Sequence, residues 1–322
     1  MPSGHEFVVE ANEPLLEAAL RSGLALEHGC VNGACGECRA RVREGRVRQV
    51  RFHDYVIREA DKRDGMVLLC CCTADGDLTI EAREASDPRD IPEQQVRARV
   101  YRQDQVSNDV QIVHLRVMRG KSLRFFAGQH ASLALSGCAS EDVPIASCPC
   151  DGLNLEFHFH RGQGGELSNR AFRGFSRSDR FDIRGPRGTF TLDENSSRPL
   201  VFLAHDTGIA PVKSIIEHAI NLELPQAIHL QWHATGPQGH YLHNYFRSLA
   251  DALDDFRYLP VEGPLRGDMI AGLPGPDSAD AYVAGGGEFV AAGRDMLLAG
   301  GVPEDRLFID VLGGDPPAPK AG

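Results

Sequence analysis

The segment Cys30-Val-Asn-Gly-Ala-Cys35-Gly-Glu-Cys38 collects three cysteines in one short stretch, and Leu68-Leu69-Cys70 adds another far along the chain. Thiolates are soft ligands that suit iron, and glycines let a tight loop turn its amides toward sulfur atoms. The C-x4-C-x2-C spacing with a distant fourth cysteine is one that binds [2Fe–2S] clusters. The pattern therefore predicts a two-iron cluster held by Cys30, Cys35, Cys38 and one cysteine near residue 70.

Zinc binding, disulfide bonding and simple packing account for these cysteines less well than an iron cluster does. A zinc site usually presents paired C-x2-C knuckles, and only one such pair occurs here. Disulfides are disfavoured because no signal peptide precedes the sequence and its nine cysteines leave one unpaired. Cysteines placed for packing alone would not show this spacing. The pattern itself leaves the fourth ligand open, since Cys70, Cys71 and Cys72 are adjacent.

The composition is that of a globular protein with several domains. The chain has 322 residues, of which 42% are hydrophobic and 25% charged. Its net charge of −11 argues against a nucleic-acid partner, because nucleic-acid-binding surfaces are basic. No apolar run approaches the roughly 20 residues needed to span a bilayer, so we expect no membrane span. Cysteine usage without an export signal predicts a cytoplasmic location.

Residues 1–85 are predicted to form an α+β domain around the cysteine loop. The run Phe7–Glu10 predicts a strand, and Pro14–Ser22 has the periodicity of a helix that ends at Gly23. The arginine-rich run Arg39–Arg48 alternates as a hairpin with a glycine turn. Residues 86–95 are polar, contain prolines and lack periodicity, so they are predicted to be a linker.

Two further domains are predicted after the linker. From residue 96 to 199, short alternating runs separated by glycines and polar turns predict an antiparallel β-barrel. From residue 200 to 315, apolar strands alternate with helical stretches, which predicts a doubly wound α/β domain. Residues 316–322 are predicted to be a frayed tail. The predicted strands are 97–101, 110–117, 130–135, 155–160 and 180–184, then 200–204, 228–232, 281–284 and 307–310, and the predicted helices of the last domain are 211–221, 241–253 and 288–298.

The first domain resembles the plant-type ferredoxins, which have a β-grasp fold. In that family the last ligand precedes an Asp-aliphatic-x-Ile-Glu strand by a fixed interval. Asp77-Leu-Thr-Ile-Glu81 stands at this interval from Cys70. The resemblance thus implies that Cys70 is the fourth ligand and that Cys71 and Cys72 are packing residues. Ferredoxins also begin with a strand that is missing here, which would leave Phe7–Glu10 and Leu78–Glu81 with unpaired edges.

The order of the domains resembles the iron–sulfur flavoprotein reductases, including the reductase components of bacterial oxygenases and CDP-6-deoxy-glucoseen reductase. Members pass a hydride from a nicotinamide to FAD and then single electrons through the cluster to a protein acceptor, so the cofactors rather than catalytic side chains carry the reaction. Further matches to the family are Gly128-Gln129, Gly185-Pro-Arg-Gly188 and Gly313-Gly314. The resemblance implies flavin contacts at Ile145, Ala146, Ser147, Phe159, His160, Gly164, Gly165 and Ser168, and nicotinamide contacts at Thr207, Gly208, Pro211, Gly285 and Gly286.

The sequence departs from that family where phosphates bind. The Arg-x-Tyr-Ser flavin signature falls on Glu141-Asp-Val-Pro144, and in the alternative frame Pro144 and Ala146 take the arginine and tyrosine positions. Losing both side chains weakens flavin binding by roughly 2–4.5 kcal/mol. In the nicotinamide turn, His205 and Asp206 replace two glycines that the family has before Thr-Gly. Asp206 is expected to cap the following helix. The run Trp232-His-Ala-Thr-Gly236 offers no arginine to bind a 2′-phosphate, which favours NADH over NADPH.

Two hypotheses follow. The first is a reductase that passes electrons from NADH through FAD to a cluster near about −400 mV and on to an oxygenase or dehydratase. The second is an electron-transfer or docking subunit whose flavin site, nicotinamide site or both are degenerate. The first is favoured because Gly164, Gly165, Ser168 and the Thr207-Gly208 turn would have little reason to persist without nucleotides.

Two other residue pairs are interpreted as structural. Cys148 and Cys150 flank Pro149, and no third ligand stands near them in the sequence. His158 and His160 alternate along one predicted strand, where strand packing or flavin contact is favoured over a metal pair.

Overall fold

The cysteine loop lies between a short helix and a set of short strands. The computed structural model of the protein describes residues 4–118, 121–236, 239–263, 265 and 275–313. Strands β3, β1 and β5 form one antiparallel sheet, and β2 pairs with β4 in a second. The elements are α1 (Leu15–Arg21), β1 (Arg39–Glu44), β2 (Val47–Gln49), α2 (Glu59–Arg63), β3 (Met66–Leu68), β4 (Cys72–Ala74) and β5 (Thr79–Glu81).

The predicted first strand does not form. Within the described residues, Phe7–Glu10 belongs to no strand and Val8 is 76% exposed. A strand needs a ladder partner, and β5 pairs only with β1, so its other edge has no strand beside it in the described residues. The prediction of a strand over Phe7–Glu10 was therefore wrong, because the alternation was present but the partner was not.

The middle of the chain folds into a nearly closed antiparallel barrel. Its sheet has six strands in the order β10-β7-β6-β11-β8-β9. Inward residues of β6 such as Val96, Ala98 and Val100 are buried, while Arg97 and Arg99 between them are exposed, which is the period-2 pattern of a half-buried strand. The elements are β6 (Gln94–Gln105), β7 (Val110–Val117), β8 (His130–Leu135), β9 (Glu141–Pro144), β10 (Asn154–His160), α3 (Glu166–Ala171) and β11 (Arg180–Arg187).

The last part is a parallel α/β sheet. Its five strands run in the order β14-β13-β12-β15-β16, and the central β12 is buried along nearly its whole length. The elements are β12 (Leu200–His205), α4 (Ile209–Asn221), β13 (Ile228–Ala234), α5 (His243–Ala252), β14 (Phe256–Glu262), β15 (Asp280–Gly285), α6 (Gly287–Ala299) and β16 (Leu307–Val311). The predicted fold class, an α+β ferredoxin domain followed by an antiparallel barrel and an α/β domain, is confirmed.

Polar contacts join the barrel to the α/β domain. Ser214 Oγ on α4 donates to the carbonyl of Ser147 at 2.7 Å, and Lys213 Nζ lies 3.3 Å from the carbonyl of Ala146. His130 on β8 lies 2.8 Å from Asp310 on β16. The chain segment after β9 is thus held against the first helix of the nucleotide-type sheet. Gly314 and the predicted tail 316–322 lie outside the described residues, and the predicted domain boundaries stay predictions.

Candidate cluster and nucleotide sites

The fold brings the predicted cluster ligands to one end of the first domain. Cys30 and Cys35 lie in the loop before β1, and Cys38 directly precedes that strand. Cys70 lies in the turn between β3 and β4, and the amide of Leu69 donates to the carbonyl of Cys38 at 3.0 Å. Cys30, Cys38 and Cys70 are buried, and Cys35 is half-buried. The two segments that the sequence separates are therefore hydrogen-bonded neighbours.

Backbone amides face the sulfur atoms at the start of the loop. The amide of Cys35 donates to Cys30 Sγ at 3.4 Å, and that of Glu37 donates to Cys35 Sγ at 3.4 Å. Burial raises the pKa of the Cys30 thiol, but hydrogen bonds from the amides of Cys35, Asn32 and Ala34 oppose it, and the pKa of Cys30 lies below its ordinary value. Amides aimed at sulfur stabilise the thiolate that an iron centre requires.

Cys38 and Cys70 form a second close pair. Their sulfur atoms lie 3.3 Å apart. Hydrogen bonding to Cys70 and burial raise the pKa of the Cys38 thiol, because two buried thiolates at this separation repel each other. A cationic metal between them removes that repulsion and keeps both sulfurs deprotonated.

The arrangement of the sulfurs suits two irons better than one zinc. Among the described residues, no three of these four sulfur atoms lie within 4.8 Å of one another. A tetrahedral zinc with Zn–S bonds of about 2.3 Å would bring all four to roughly 3.8 Å. The sulfurs instead associate as Cys30 with Cys35 and Cys38 with Cys70, one pair for each iron of a [2Fe–2S] cluster. The residues present fit that cluster.

A neighbouring sulfur complicates the choice of fourth ligand. Cys71 Sγ lies 3.5 Å from Cys70 Sγ. A Cβ added at Gly33, whose φ is +79°, would lie 2.7 Å from the same Cys71 sulfur. Cys71 therefore packs beneath the cluster loop, whereas Cys72 belongs to β4 and pairs with Gln49. The assignment of Cys70 as ligand stays a prediction.

On the barrel, Glu141 occupies the group of donors at the start of α3. One carboxylate oxygen accepts the amide of Leu167 at 2.7 Å, and the other accepts Ser168 Oγ at 2.6 Å and the amide of Ser168 at 3.2 Å. By resemblance this is the segment that lies along the flavin phosphates. In the frame that aligns Glu141 with the family's phosphate-binding arginine, a carboxylate replaces that arginine and accepts from the donors of the phosphate. The Glu141 carboxylate would have to move before these donors could bind an anionic flavin phosphate.

The glycines of this segment have a structural reason of their own. A Cβ added at Gly165 would lie 2.6 Å from Glu141 Oε1, and one added at Gly164 would collide with Ser168 Oγ. Gly164 also has a φ of +112°, which only glycine adopts readily. Glycine at these positions makes room for the Glu141 carboxylate, so their presence does not by itself require a bound flavin.

The other predicted flavin residues have contacts within the protein. Ile145 and Ala146 are buried, and the Ser147 carbonyl is bonded to Ser214. Phe159 points into the barrel core against Phe175. His160 Nδ1 contacts the carbonyl of Arg161 at 2.8 Å. On the same strand His158 contacts the Tyr241 hydroxyl at 2.9 Å and Glu156 at 2.7 Å, which agrees with strand packing, one of the two roles expected for it.

At the carboxyl edge of the parallel sheet, Asp206 does not cap a helix. No side-chain cap is present at the start of α4 or of the single turn before it. Asp206 instead accepts the amide of Thr235 at 2.9 Å and its hydroxyl at 2.7 Å. The expected cap was therefore wrong, because the end of β13 offers two donors that hold the side chain away from its own helix. A second carboxylate thus lies where the family binds a pyrophosphate.

The remaining nicotinamide candidates lie around that carboxylate. Thr207 and Gly208 follow it, Pro211 lies in the first turn of α4, and Gly285 ends the neighbouring β15. A Cβ at Gly208 would collide with the carbonyl of Ala284, and Gly285 has a φ of +152° beside His205. Close backbone packing therefore accounts for Gly208 and Gly285 without a ligand. Gly286 precedes α6, and a Cβ added there would have no atom within 4 Å.

The sequence did not indicate a second group of possible metal ligands, formed by Cys148, Cys150 and His218. Cys148 and Cys150 are joined by a disulfide, and His218 on α4 brings a third ligand atom within 4.8 Å of both sulfurs. The interpretation that no third ligand stands nearby was wrong, because the histidine is far along the chain. The packing of α4 against the segment after β9 brings the three together, and no local sequence signal could have indicated it.

The fold and the cysteine site together define an electron-transfer protein, with an iron–sulfur domain joined to a flavin-type barrel and a nucleotide-type α/β sheet. Residues 1–75 match the 2Fe-2S iron-sulfur cluster binding domain, and residues 97–192 match the oxidoreductase FAD-binding domain. No helix among the described residues has the length and apolar character to cross a membrane.

Comparison with known proteins gives the family. Reductase component 2 of terephthalate 1,2-dioxygenase from Comamonas sp. is 31% identical over 267 residues, which cover 82% of this chain and 78% of that protein. A CDP-6-deoxy-L-threo-D-glycero-4-hexulose-3-dehydrase reductase from Yersinia pseudotuberculosis is 28% identical over 326 residues, 97% of this chain and 96% of that one. The chain belongs to the NAD(P)H-dependent iron–sulfur flavoprotein reductases, as the resemblance predicted.

Solved structures agree in fold. A cytochrome P450 reductase of Amycolatopsis superposes with a TM-score of 0.63 at 24% identity, covering 96% of this chain and 97% of that one. The ferredoxin reductase of carbazole 1,9a-dioxygenase gives a TM-score of 0.61 at 22% identity, with 96% of each chain covered. At these identities the likeness shows a shared three-part architecture.

Proposed function

We propose that the protein is an electron-transfer component whose [2Fe–2S] centre accepts one electron at a time and passes it to an oxygenase or dehydrase component. The observation that carries this proposal is the pairing of four cysteine sulfurs in a domain that matches [2Fe–2S] proteins. The relatives, which are named as reductase components of oxygenase and dehydrase systems, support the class of acceptor.

In this function the residues of the chain hold the cluster and stabilise its thiolate ligands. The cluster supplies the one-electron redox chemistry when bound. Cys30, Cys35, Cys38 and Cys70 would hold it, and the amides of Cys35 and Glu37 orient and stabilise the thiolates. Because Cys35 is the half-buried member of the four, the Cys35 side of the loop is where the centre lies nearest to solvent. A protein acceptor is therefore expected to dock there.

We further propose that this chain binds FAD more weakly than its relatives do. Glu141 accepts hydrogen bonds from the Leu167 amide and from the Ser168 hydroxyl, which are donors expected for a flavin phosphate, and Asp206 accepts those of Thr235 at the expected nicotinamide pyrophosphate position. A phosphate would have to displace a carboxylate that is already hydrogen-bonded, and the arginine that would offset this cost is absent. The flavin is therefore expected to be lost in part during purification and to rebind when FAD is added.

Electrons are proposed to reach the cluster by the route of the family. In it, electrons pass from NADH through FAD to the cluster. The match of residues 97–192 to the FAD-binding domain and the retained Gly185-Pro-Arg-Gly188 turn favour it. NADH would be preferred to NADPH, since no arginine follows Trp232 within the run to Gly236. A cytoplasmic location is part of either proposal and rests on the free cysteines of the first domain.

One preparation tests these proposals. Protein purified without oxygen is analysed for iron, labile sulfide and acid-extractable flavin, and is then mixed with NADH, with and without added FAD, using cytochrome c as acceptor. We expect about two irons and two sulfides per chain, less than one flavin, and bleaching by NADH that increases when FAD is added. Absence of iron and sulfide would reject the electron carrier. Stoichiometric FAD that survives purification would contradict weak flavin binding, and no response to NADH with added FAD would contradict the family route.

A further inference from the structure

A group of metal-ligand side chains lies away from the predicted cluster. Cys148 and Cys150 lie on the segment between β9 and β10, and His218 lies near the end of α4. One ligand atom from each, the two Sγ atoms and an imidazole nitrogen, lies within 4.8 Å of the others, and Cys148 Sγ is 3.8 Å from His218 Nδ1. This grouping is the one that the described residues offer to a single metal ion.

The surroundings of His218 orient it toward the sulfurs. The imidazole is buried, and its Nε2 lies 2.9 Å from a carboxylate oxygen of Glu194. When Nε2–H donates a hydrogen bond to the Glu194 carboxylate, the Nδ1 lone pair is left directed at the cysteines. This is the arrangement by which proteins fix the tautomer of a metal-binding histidine.

A further donor faces both sulfurs. Asn221 Nδ2 lies 3.3 Å from Cys148 Sγ and 3.0 Å from Cys150 Sγ. Amide N–H groups stabilise sulfur best when it carries negative charge, as it does in a metal thiolate. Both cysteines are half-buried, so an ion can reach them while His218 stays shielded.

We propose that, when Cys148 and Cys150 are reduced, these cysteines and His218 bind one Zn²⁺. Zinc takes thiolate and imidazole ligands at about 2.3 Å and 2.0–2.1 Å, which places ligand atoms roughly 3.5–3.8 Å apart. That spacing agrees with the 3.8 Å between Cys148 Sγ and His218 Nδ1. Three protein ligands leave a fourth position for water. The site does not depend on the proposed electron-transfer function.

The disulfide defines the oxidised, metal-free form of the same site. A dithiol reductant gives two electrons and two protons to the Cys148–Cys150 bond, which becomes two thiols while the reductant forms its own disulfide. Binding of Zn²⁺ to those thiols then releases their two protons. The disulfide and the metal exclude each other, so the site is loaded under reducing conditions and emptied by oxidation.

Zinc bound here would connect two domains. Cys148 and Cys150 belong to the barrel side, and His218 and Asn221 belong to α4 of the α/β sheet. Metal binding is coupled to the stability of whatever structure assembles the ligands. We therefore expect zinc to stabilise the contact between the barrel and the α/β domain.

The test uses the full chain with its cluster loaded. The protein is reduced with dithiothreitol without oxygen, desalted, exposed to Zn²⁺ alone, desalted again and analysed for zinc and iron together. We expect about one zinc per chain, unchanged iron and a higher melting temperature. The Cys148→Ser/Cys150→Ser variant should bind no zinc, whereas Cys138→Ser, a matched cysteine outside the site, should bind it normally.

A milder variant guards against a folding defect. Glu194→Gln leaves all three ligands in place and should weaken zinc binding about 10- to 100-fold, as removal of a ligand-orienting carboxylate does. Unreduced protein, with the disulfide intact, should bind none. Zinc binding that is equal in the double serine variant and the native chain, or absent from reduced native protein with full iron content, would overturn the proposal. Because iron is measured in the same sample, loss of the cluster is recognised separately.

Discussion

At the scale of single residues, Glu141 decides how the barrel relates to its family. An arginine at this position would attract phosphate, whereas the glutamate accepts hydrogen bonds from the Leu167 amide and from Ser168. Ser168 Oγ donates to a negative oxygen in either case, but the oxygen here belongs to the protein. The hydrogen-bond donors of α3 are thus present, but they bind the Glu141 carboxylate in the place expected for a flavin phosphate.

Replacing Glu141 by arginine should strengthen flavin binding. The Glu141→Arg variant frees the donors of α3 and adds a charge-assisted bond worth about 1.5–3 kcal/mol, which predicts a gain in FAD affinity of roughly ten- to hundredfold. Flavin fluorescence quenching during titration with FAD measures it. Glu44→Arg makes the same charge change on exposed β1 and should leave affinity unchanged. Equal affinity of the Glu141 variant and the native chain would contradict the role assigned to this carboxylate.

The site could be predicted only in part at this scale. The spacing of Cys30, Cys35 and Cys38 predicted a cluster site because all three ligands lie in one short loop. The contact of Glu141 with α3 could not be predicted, because Glu141 and Ser168 are 27 residues apart in the sequence. The group of Cys148, Cys150 and His218 forms only when two domains pack together, and residue spacing in the sequence does not indicate that packing.

At the scale of elements, strands β8 and β16 are joined by a buried ion pair. His130 Nε2 lies 2.8 Å from Asp310, and the exposed fractions of the two side chains are 14% and 6%. Burial lowers the pKa of His130, but the charges of Asp310 and Asp142 and the hydrogen bond to Asp310 outweigh it, so the pKa lies above 6.5. The folded protein therefore binds this proton more tightly than the unfolded chain does.

This pair predicts a pH dependence of stability. A raised histidine pKa contributes stability that is fully present below about pH 6.5 and is lost as the pH rises through the folded value. Relative to the native chain, His130→Gln should be less stable by about 3 kcal/mol near pH 6, with a smaller difference near pH 8. Chemical unfolding at both pH values measures this. A difference that grows with pH would contradict the assigned protonation.

Most of the longer elements were predictable from the sequence. Four of the described strands were missed. Two of them, β3 (Met66–Leu68) and β4 (Cys72–Ala74), have three residues each, and the other two, β9 (Glu141–Pro144) and β14 (Phe256–Glu262), lie at sheet edges and contain a proline, which edges tolerate and central strands do not. Phe7–Glu10 shows the opposite error, because its alternation lacked a ladder partner. Alternation reports which face of a strand is buried, and pairing depends on neighbours that a local pattern does not contain.

At the scale of the whole molecule, Lys213 on α4 joins the barrel to the α/β domain. Its ammonium lies 2.8 Å from Glu217, 3.3 Å from Glu156 on β10 and 3.3 Å from the carbonyl of Ala146. Burial raises the pKa of Glu156, but His158, Lys213 and His114 together lower it well below the ordinary value. A buried charge at a domain interface therefore depends on its partners in both domains.

Removing that ammonium should destabilise the assembled protein. Lys213→Met leaves Glu156 without one of its cationic partners and should cost about 2–3 kcal/mol of unfolding free energy. Lys121→Met, at an exposed lysine of the barrel, should change it by less than about 0.5 kcal/mol. Denaturant unfolding followed by tryptophan fluorescence compares them, since Trp232 lies in the α/β core. Equal effects of the two substitutions would show that the interface charge carries no stability.

The central claim is a [2Fe–2S] cluster held by Cys30, Cys35, Cys38 and Cys70, and its fourth ligand can be tested directly. Cys70 and Cys71 are adjacent, both are buried, and their sulfurs lie 3.5 Å apart, which makes the pair a matched comparison. The deciding measurement is the iron and labile sulfide content, with the electron paramagnetic resonance spectrum after dithionite reduction, of Cys70→Ala and Cys71→Ala prepared without oxygen. We predict that Cys71→Ala keeps about two irons and a [2Fe–2S] signal and that Cys70→Ala loses both. An intact cluster in Cys70→Ala would contradict the central claim.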